Sequence, residues 1–367
     1  MLEAPIPVSV LTGFLGAGKT TLVNRLLKDP ALADAAVIIN EFGAVAIDHL
    51  LVEQASDNVI QLADGCLCCT VRGELVDTLA DLVDRLQTGR IARLSRVVVE
   101  TTGLADPGPV LQALMAHPAL LQAFRLDGVV TVVDAVNGLA TLDAHVESVR
   151  QVAVADRIVI SKTDLAETSD LAALTARLAA LNPGASQVDG RAPEASAAAL
   201  VACGLYDPAT KSADVRRWLG DHAHDHDCQG HHHAGHGVHD ARIRSMVIVE
   251  PRPLPLSAVT TFLDLLQATQ GDRLLRLKGI VETAEDRVRP LVVHAVQRSI
   301  HPPARLPSWP DETRGTRLVL ILQDASEDYV RRLFAAATSQ PQPDTPDRAA
   351  LEENPLAIAG MGARRVF

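Results

Sequence analysis

Aromatic residues are scarce in this chain of 367 residues: they make up 3% of the sequence, although apolar residues of all kinds reach 47%. The core must therefore be filled by Leu, Val and Ala. No apolar run is long enough to cross a bilayer, and no Lys or Arg precedes Lys19, which argues against a membrane partner and against an ordinary signal peptide. We expect a cytoplasmic protein of about two domains.

Concentrated basic charge and paired cysteines are also lacking. The net charge is −11, and no segment is basic enough to displace the counterions of a nucleic acid, which excludes that partner. Five cysteines, three of them within residues 66–69, do not resemble a disulfide framework.

Residues 13–20 read GFLGAGKT and fit the pattern G-x-x-x-x-G-K-[ST]. A chance match is the alternative, but an apolar run at 6–11 and a helical pattern at 21–28 supply the strand and helix that the motif needs. The loop amides would surround a phosphate at the positive end of that helix. Lys19 would reach the β- and γ-phosphates, and the Thr20 hydroxyl would hold Mg²⁺. The predicted nucleotide-binding residues of this segment are Gly13, Gly16, Ala17, Gly18, Lys19, Thr20 and Thr21.

Short apolar runs alternate with helical patterns after this motif. Buried strands are predicted at 37–40, 59–62, 97–99, 128–133 and 157–160, and helices at 74–86 and 146–155. Such alternation predicts an α/β domain, residues 1–211, with a mainly parallel sheet covered by helices on both faces. Ligands of such sheets bind beyond the carboxyl ends of the strands.

Two of these strand ends carry candidate nucleotide contacts. Ser161, Lys162 and Asp164 follow one strand; Asp164 could accept from guanine N1–H and N2–H, and the alkyl stem of Lys162 could cover the base. A capping Asp at a strand end is the alternative. Glu100 and Gly103 follow another strand, where we expect Glu100 to contact Mg²⁺ through water and the Gly103 amide to reach the γ-phosphate. The predicted catalytic residues are Lys19, Thr20 and Glu100.

Cys66, Cys68 and Cys69 lie close together after a predicted strand. Thiolates bind soft or borderline metals such as Zn²⁺, Cu⁺ or Co²⁺, so we predict a transition-metal site. Glu41, at a neighbouring strand end, is the best candidate for a further ligand. Buried, inert cysteines are the alternative.

With these motifs in this order, the chain resembles the CobW-type P-loop GTPases, metallochaperones or metal-linked accessory proteins related to the urease and hydrogenase maturation GTPases. The resemblance rests on residues 13–21, 40–43, 65–69, 100–103 and 161–164, and on a second similarity over roughly 242–323, notably residues 276–279 and Trp309. It implies that the cysteine motif binds Zn²⁺ or Co²⁺ and that metal binding is linked to GTP hydrolysis. Relatives usually carry Glu where this chain has Ala44, which removes a possible carboxylate ligand.

Residues 212–241 are predicted to be a linker rich in histidine, which separates the first domain from a second one. Imidazoles at this density can bind divalent metals weakly, and a merely solvated linker is the alternative. The candidate weak ligands are His222, His224, His226, His231, His232, His233, His236 and His239.

Residues 242–339 are predicted to be a smaller CobW-type α+β domain with a mostly antiparallel sheet. Its strands are expected at 244–249, 272–281, 291–297 and 316–323, its helices at 256–269 and 327–337, and a loop at 302–310. We predict a mobile tail at 340–367.

Together these features predict a slow GTPase that binds GTP or GDP, Mg²⁺ and Zn²⁺ or Co²⁺, and that delivers the transition metal to a client protein as a monomer or weak homodimer. Two alternatives remain: an accessory protein that activates a metalloenzyme or a cobalamin pathway enzyme, and a metal storage or sensor protein that uses the histidines.

Overall fold

The computed structural model of the chain describes residues 4–39, 59–61, 70–201, 242–310 and 312–338. Two sheets organise these residues, one built from seven strands and one from six. The first sheet has the strand order β3-β2-β4-β1-β5-β6-β7, and every one of its pairs is parallel. Its strands are β1 (Ile6–Gly13), β2 (Ala35–Ile39), β3 (Val59–Gln61), β4 (Arg96–Glu100), β5 (Phe124–Asp134), β6 (Arg157–Ser161) and β7 (Ser186–Asp189).

Helices follow most of these strands. They are α1 (Lys19–Leu27), α2 (Thr70–Gln87), α3 (Gly108–Ala116), α4 (Pro118–Leu121), α5 (Gly138–Ala144), α6 (Val146–Ala153), α7 (Thr168–Leu181) and α8 (Ala197–Val201). All five residues of β2 are buried, and side chains of a strand alternate between its two faces, so both faces of the sheet are covered there. This confirms the predicted α/β domain with a parallel sheet.

The second sheet is antiparallel and has the order β11-β10-β9-β13-β8, with β12 beside β10. Its strands are β8 (Ile243–Glu250), β9 (Leu274–Thr283), β10 (Asp286–Val296), β11 (Ser299–Ile300), β12 (Ala304–Arg305) and β13 (Thr316–Gln323). The helices α9 (Leu256–Gln270) and α10 (Glu327–Thr338) pack together through an edge-to-face contact of Phe262 and Phe334, whose ring centroids are 5.0 Å apart. The smaller α+β unit is thereby confirmed, and the predicted loop at 302–310 contains the short strand β12.

Several predicted strands have different bounds in the structure. β10 begins at Asp286 and not at residue 291. β5 begins at Phe124, four residues before the predicted start, because the charge of Asp127 is paired inside the protein with Arg96. β9 begins at Leu274 and not at Asp272, because α9 continues to Gln270 and a turn closed by the Arg273 N–H and the Gln270 carbonyl precedes the strand.

Buried charged groups join the two units. Asp156, immediately before β6, forms ion pairs with Arg276 and Lys278 of β9, and all three side chains are at most 7% exposed. Arg276 also donates to the Val154 carbonyl over 2.7 Å. Within the part of the chain that the structure describes, no helix has the length and hydrophobicity needed to span a membrane.

Candidate nucleotide site

The predicted glycine loop connects β1 to α1. Gly13 ends β1 at a φ of 144°, and a Cβ on it would lie 2.4 Å from the Val132 carbonyl oxygen of β5. Only glycine allows this combination of backbone angle and close approach. Gly16 and Gly18 also have left-handed φ values, 70° and 94°, and Gly18 is the N-cap of α1. The loop therefore presents its amides at a helix N-terminus, the arrangement that suits a phosphate.

The polar side chains of this motif face the end of β4. Lys19 is 9% exposed and donates to the Phe14 carbonyl over 3.2 Å, so its ammonium lies across the loop. The Thr20 hydroxyl lies 3.4 Å from Glu100 Oε1, and Glu100 is 4% exposed. The structure thus brings together the three predicted catalytic residues, two as hydrogen-bonded neighbours. Thr21 is exposed on α1 beside them.

Gly103 lies against the same loop. A Cβ on Gly103 would come within 2.7 Å of the Leu15 amide nitrogen and 2.8 Å of its Cα, so no other residue fits there unless the loop moves. The start of this segment is fixed to β1, because the Thr101 amide donates to the Leu11 carbonyl and the Thr101 hydroxyl donates to Thr12 over 2.7 Å. The segment after β4 and the glycine loop therefore form one packed surface.

The segment after β6 approaches the loop from the other side. The Ser161 hydroxyl donates to the Ala17 carbonyl over 2.6 Å, which fixes the distance between the predicted guanine-recognition segment and the phosphate loop. Asp164 is half exposed, with its carboxylate 3.6 Å from Arg191 Nη1, so it remains accessible to a base. Lys162 has a φ of 55° and its ammonium lies 2.6 Å from Asp134 Oδ2.

Asp134 lies at this candidate site, and the sequence prediction missed it. Burial raises the pKa of this carboxyl. Hydrogen bonds from Lys162, the Asn137 side chain and the Val136 amide lower the pKa by a larger amount, so it lies below its ordinary value. Asp134 is thus an ionised partner that holds the Lys162 ammonium. It stands at the carboxyl end of β5, so the rule that drew attention to Glu100 could have identified it.

A cavity of about 200 Å³ opens between the loop and α5 and α6. Phe14, Gly16, Asp134, Gln151 and Lys162 are among its lining residues. It is bounded by both predicted nucleotide motifs, and the Phe14 ring stacks on His145 at a centroid distance of 4.4 Å beside it.

The predicted transition-metal ligands are not among the described residues. Cys66, Cys68, Cys69 and Glu41 fall outside them, as do Ala44, the eight linker histidines and the predicted tail. Within the described ranges, no group of three or more His, Cys, Asp or Glu side chains could hold a metal ion. β2 ends beside Glu100, which pairs with Ile39, and β3 ends beside β2, where Gln61 pairs with Ile39. The segments containing Glu41 and the cysteines therefore both start from the edge that carries the nucleotide motifs.

The chain is similar to proteins of known function along nearly its whole length. Residues 7–189 match the CobW/HypB/UreG nucleotide-binding domain, and residues 243–338 match the cobalamin synthesis protein CobW C-terminal domain. The zinc chaperone YjiA of Escherichia coli (strain K12) is 33% identical over 332 residues, which cover 90% of this chain and 98% of that protein. The zinc chaperone CobW of a Sinorhizobium species is 31% identical over 372 residues, 91% of this chain and 98% of its own. A crystal structure of Zn(II)-bound YjiA GTPase from E. coli superposes with a TM-score of 0.63 at 27% identity, covering 92% of this chain and all of that one.

Proposed function

We propose that this chain, which belongs to the CobW/HypB/UreG family, is a metallochaperone that binds a transition metal at Cys66, Cys68 and Cys69 and releases it to a client protein when GTP is hydrolysed. Its enzymatic activity is that of a GTPase, and its metal is zinc, as in the named relatives. The observation that carries the proposal is the convergence of the glycine loop, Glu100 and the start of the cysteine segment at one edge of one sheet.

Hydrolysis would depend on positioning and on charge. The loop amides and the Lys19 ammonium would bind the β- and γ-phosphates and stabilise the charge that spreads over the transferring phosphoryl group. Ser161 holds the guanine-recognition segment at a fixed distance from the loop, so a nucleotide bound at Asp164 would have its phosphates directed to Lys19.

Mg²⁺ fits the oxygen donors at this site. Thr20 and Glu100 present a hydroxyl and a buried carboxylate to one another, and hard cations prefer such oxygens. Thr20 would hold the ion directly and Glu100 through water, and the ion would neutralise phosphate charge.

Nucleotide and zinc would be coupled through the end of β2. The strand ends at Ile39, beside Glu100, and the chain then enters the segment that contains Glu41. A movement of that segment with the γ-phosphate would change the set of zinc ligands. The coupling must be reciprocal: if GTP tightens zinc binding, zinc tightens GTP binding by the same factor, typically about 5–150-fold.

A pair of titrations tests the proposal. Zinc affinity is measured with Mg²⁺ and a slowly hydrolysed GTP analogue, and again with Mg²⁺ and GDP; we expect the first to be tighter by about fivefold or more. Replacing Cys68 and Cys69 by Ser should abolish the difference while nucleotide still binds. Equal zinc affinities in both nucleotide states would contradict delivery and favour storage, for which the histidine-rich linker is suited.

A further inference from the structure

A strained turn of the C-terminal sheet inserts a side chain into the GTPase unit. Gln297 lies in the two-residue turn that joins β10 to β11, since Val296 pairs with Ser299. Its φ is 50°, a left-handed value that costs energy in a residue with a Cβ. A glycine or asparagine would be the usual choice for such a turn. A glutamine at this angle directs attention to the contacts of its side chain.

The Gln297 side chain contacts the segment that follows β4. Its Oε1 accepts from Gln112 of α3 over 2.6 Å, and its Nε2 lies 3.4 Å from Asp106 Oδ2. The amide group also lies against Gly108, where a Cβ would come within 2.4 Å of Nε2. Every one of these partners belongs to the stretch between Gly103 and the middle of α3.

Asp106 is the centre of this contact. One of its oxygens accepts from the amide of Gly108, the first residue of α3, over 2.8 Å, while the other faces Gln297 and Arg150. Arg150 of α6 lies 3.2 Å from that oxygen and also donates to Gln323, at the end of β13, over 3.0 Å. Asp106 is therefore held by two contacts that each lead to the C-terminal sheet, one direct and one through Arg150.

The next residue of α6 holds the same segment closer to the phosphate. Gln151 is 1% exposed and its Nε2 donates to the Gly103 and Ala105 carbonyls, over 3.2 and 3.0 Å. Gly103 in turn contacts the Leu15 backbone of the glycine loop. A continuous set of contacts thus runs from the C-terminal turn through Asp106 to Gly103, whose amide is proposed to bind the γ-phosphate.

We propose that Gln297 is a positioning residue for GTP hydrolysis, through which the C-terminal domain holds the Gly103–Asp106 segment in the conformation that binds the γ-phosphate. The inference rests on the proposed role of Gly103. Because GDP has no γ-phosphate, contacts at Gln297 would favour GTP over GDP, and the bound nucleotide would in turn change the β10–β11 turn by the same free energy.

The variant Gln297→Gly separates positioning from folding. Glycine relieves the left-handed backbone, which offsets part of the stability lost with the side-chain contacts, so the variant should remain folded. We expect the ratio of GTP to GDP affinity to fall by about fivefold or more and kcat to fall with it, with GDP affinity unchanged. Arg298→Ala is the matched control: it lies in the same turn, and its side chain pairs with Asp272 of the C-terminal unit. This control should behave as the wild type.

Two further measurements make the outcome decisive. If Gln297→Gly fails to fold, Gln297→Asn tolerates the same backbone angle and is one methylene too short to reach Gln112 and Asp106, so it should show the same loss. In the wild-type full chain, hydrogen exchange at residues 296–299 should be slower with a GTP analogue than with GDP.

A folded Gln297→Gly or Gln297→Asn protein with wild-type kcat and nucleotide preference would overturn the proposal, as would equal exchange at the turn in both nucleotide states. The role of Gly103 is tested separately by Gly103→Ala. Alanine keeps the N–H, but its Cβ would displace that amide from the loop. If this variant keeps the wild-type ratio of GTP to GDP affinity, the error lies in the assumed γ-phosphate contact, whereas a lowered ratio with unchanged Gln297 variants places the error in the interdomain contact.

Discussion

Replacing Asp156 by Asn should strongly destabilise the protein and weaken the connection between its two units. The Asp156 carboxylate is 2% exposed; one oxygen pairs with Arg276 and Lys278, and the other accepts from the Val129 amide over 2.8 Å. Asn keeps the shape and can still accept from Val129, but it leaves two buried cations of the C-terminal sheet without their anion. Removing one partner of a buried ion pair costs about 3–5 kcal/mol, a large part of a stability of about 5–15 kcal/mol.

The dependence on pH follows from the pKa of Asp156. Burial raises it, but the charges of Arg276 and Lys278 and the hydrogen bonds to the carboxylate lower it more, so the folded pKa lies below the ordinary value. Such a group stabilises the fold fully above its unfolded pKa, about 3.9, and loses this contribution as the pH falls through the folded pKa. The stability difference between wild type and Asp156→Asn should therefore be full at pH 7 and shrink below about pH 4.

Urea unfolding at pH 7, followed by circular dichroism and by tryptophan fluorescence, measures the effect. Urea is preferred to guanidinium because it does not screen charges. Asp272→Asn is the control, since Asp272 forms a comparable pair with Arg298 at the surface and its loss should change stability little. A loss of less than about 1 kcal/mol in Asp156→Asn would refute the reasoning, because the two cations would then have adequate partners or solvent. Transitions that differ between the two probes would show that the units unfold separately.

Three more outcomes are expected. Asp164→Asn should lower GTP affinity about 10- to 100-fold, because hydrogen bonds to a charged acceptor are lost. Calorimetric titrations should also show a smaller preference for GTP over ATP. A wild-type protein that prefers ATP would contradict the guanine assignment. Gly13→Ala should destabilise the protein by about 1–3 kcal/mol in urea unfolding and impair nucleotide binding, because its Cβ would overlap the Val132 carbonyl. The control is Gly73→Ala on α2, where the space is open and the change should stabilise the protein by about 0.5–1 kcal/mol. Deleting residues 221–240 should remove weak zinc sites while one tight site and GTP hydrolysis remain; loss of hydrolysis in the folded variant would refute the modular organisation.

The architecture was predictable because central strands of the first sheet, such as β2 and β4, are buried on both faces. β2 consists of Ala, Val and Ile, and β4 has three consecutive Val residues at its centre, a pattern typical of strands buried in a parallel sheet. The polar start of β5 was not predictable, because the charge of Asp127 is acceptable in a strand only after β1 and β4 have brought Arg96 beside it. A local pattern contains no information on that partner.

The candidate site likewise contains residues that the sequence could predict and one that it could not. Gly13, Lys19 and Thr20 belong to one continuous motif whose backbone geometry is encoded locally. Ser161 is the last residue of a strand whose place beside β5 is fixed by the sheet. Gln297 is different: it meets Asp106 across 191 residues of sequence and carries no motif of its own. Its one local signal, a left-handed φ, exists only in the folded chain.

Two of the contacts between the units, those of Asp156 and of Gln297, differ in a way that suits different tasks. The pairs of Asp156 with Arg276 and Lys278 are buried and charged, so separating them would expose unpaired charge in the interior at a cost of several kcal/mol. A contact of this kind holds the units at a fixed distance during a catalytic cycle. The contact of Gln297 with Asp106 spans 3.4 Å between a neutral amide and a carboxylate that is partly exposed. Hydrogen bonds of this class are worth about 1.5–3 kcal/mol, which is within the range that one γ-phosphate contact can supply or remove. A nucleotide could therefore change the contact of Gln297 with Asp106 while the ion pairs of Asp156 keep the domains together. This difference would allow GTP hydrolysis to alter the C-terminal sheet without separating the two units.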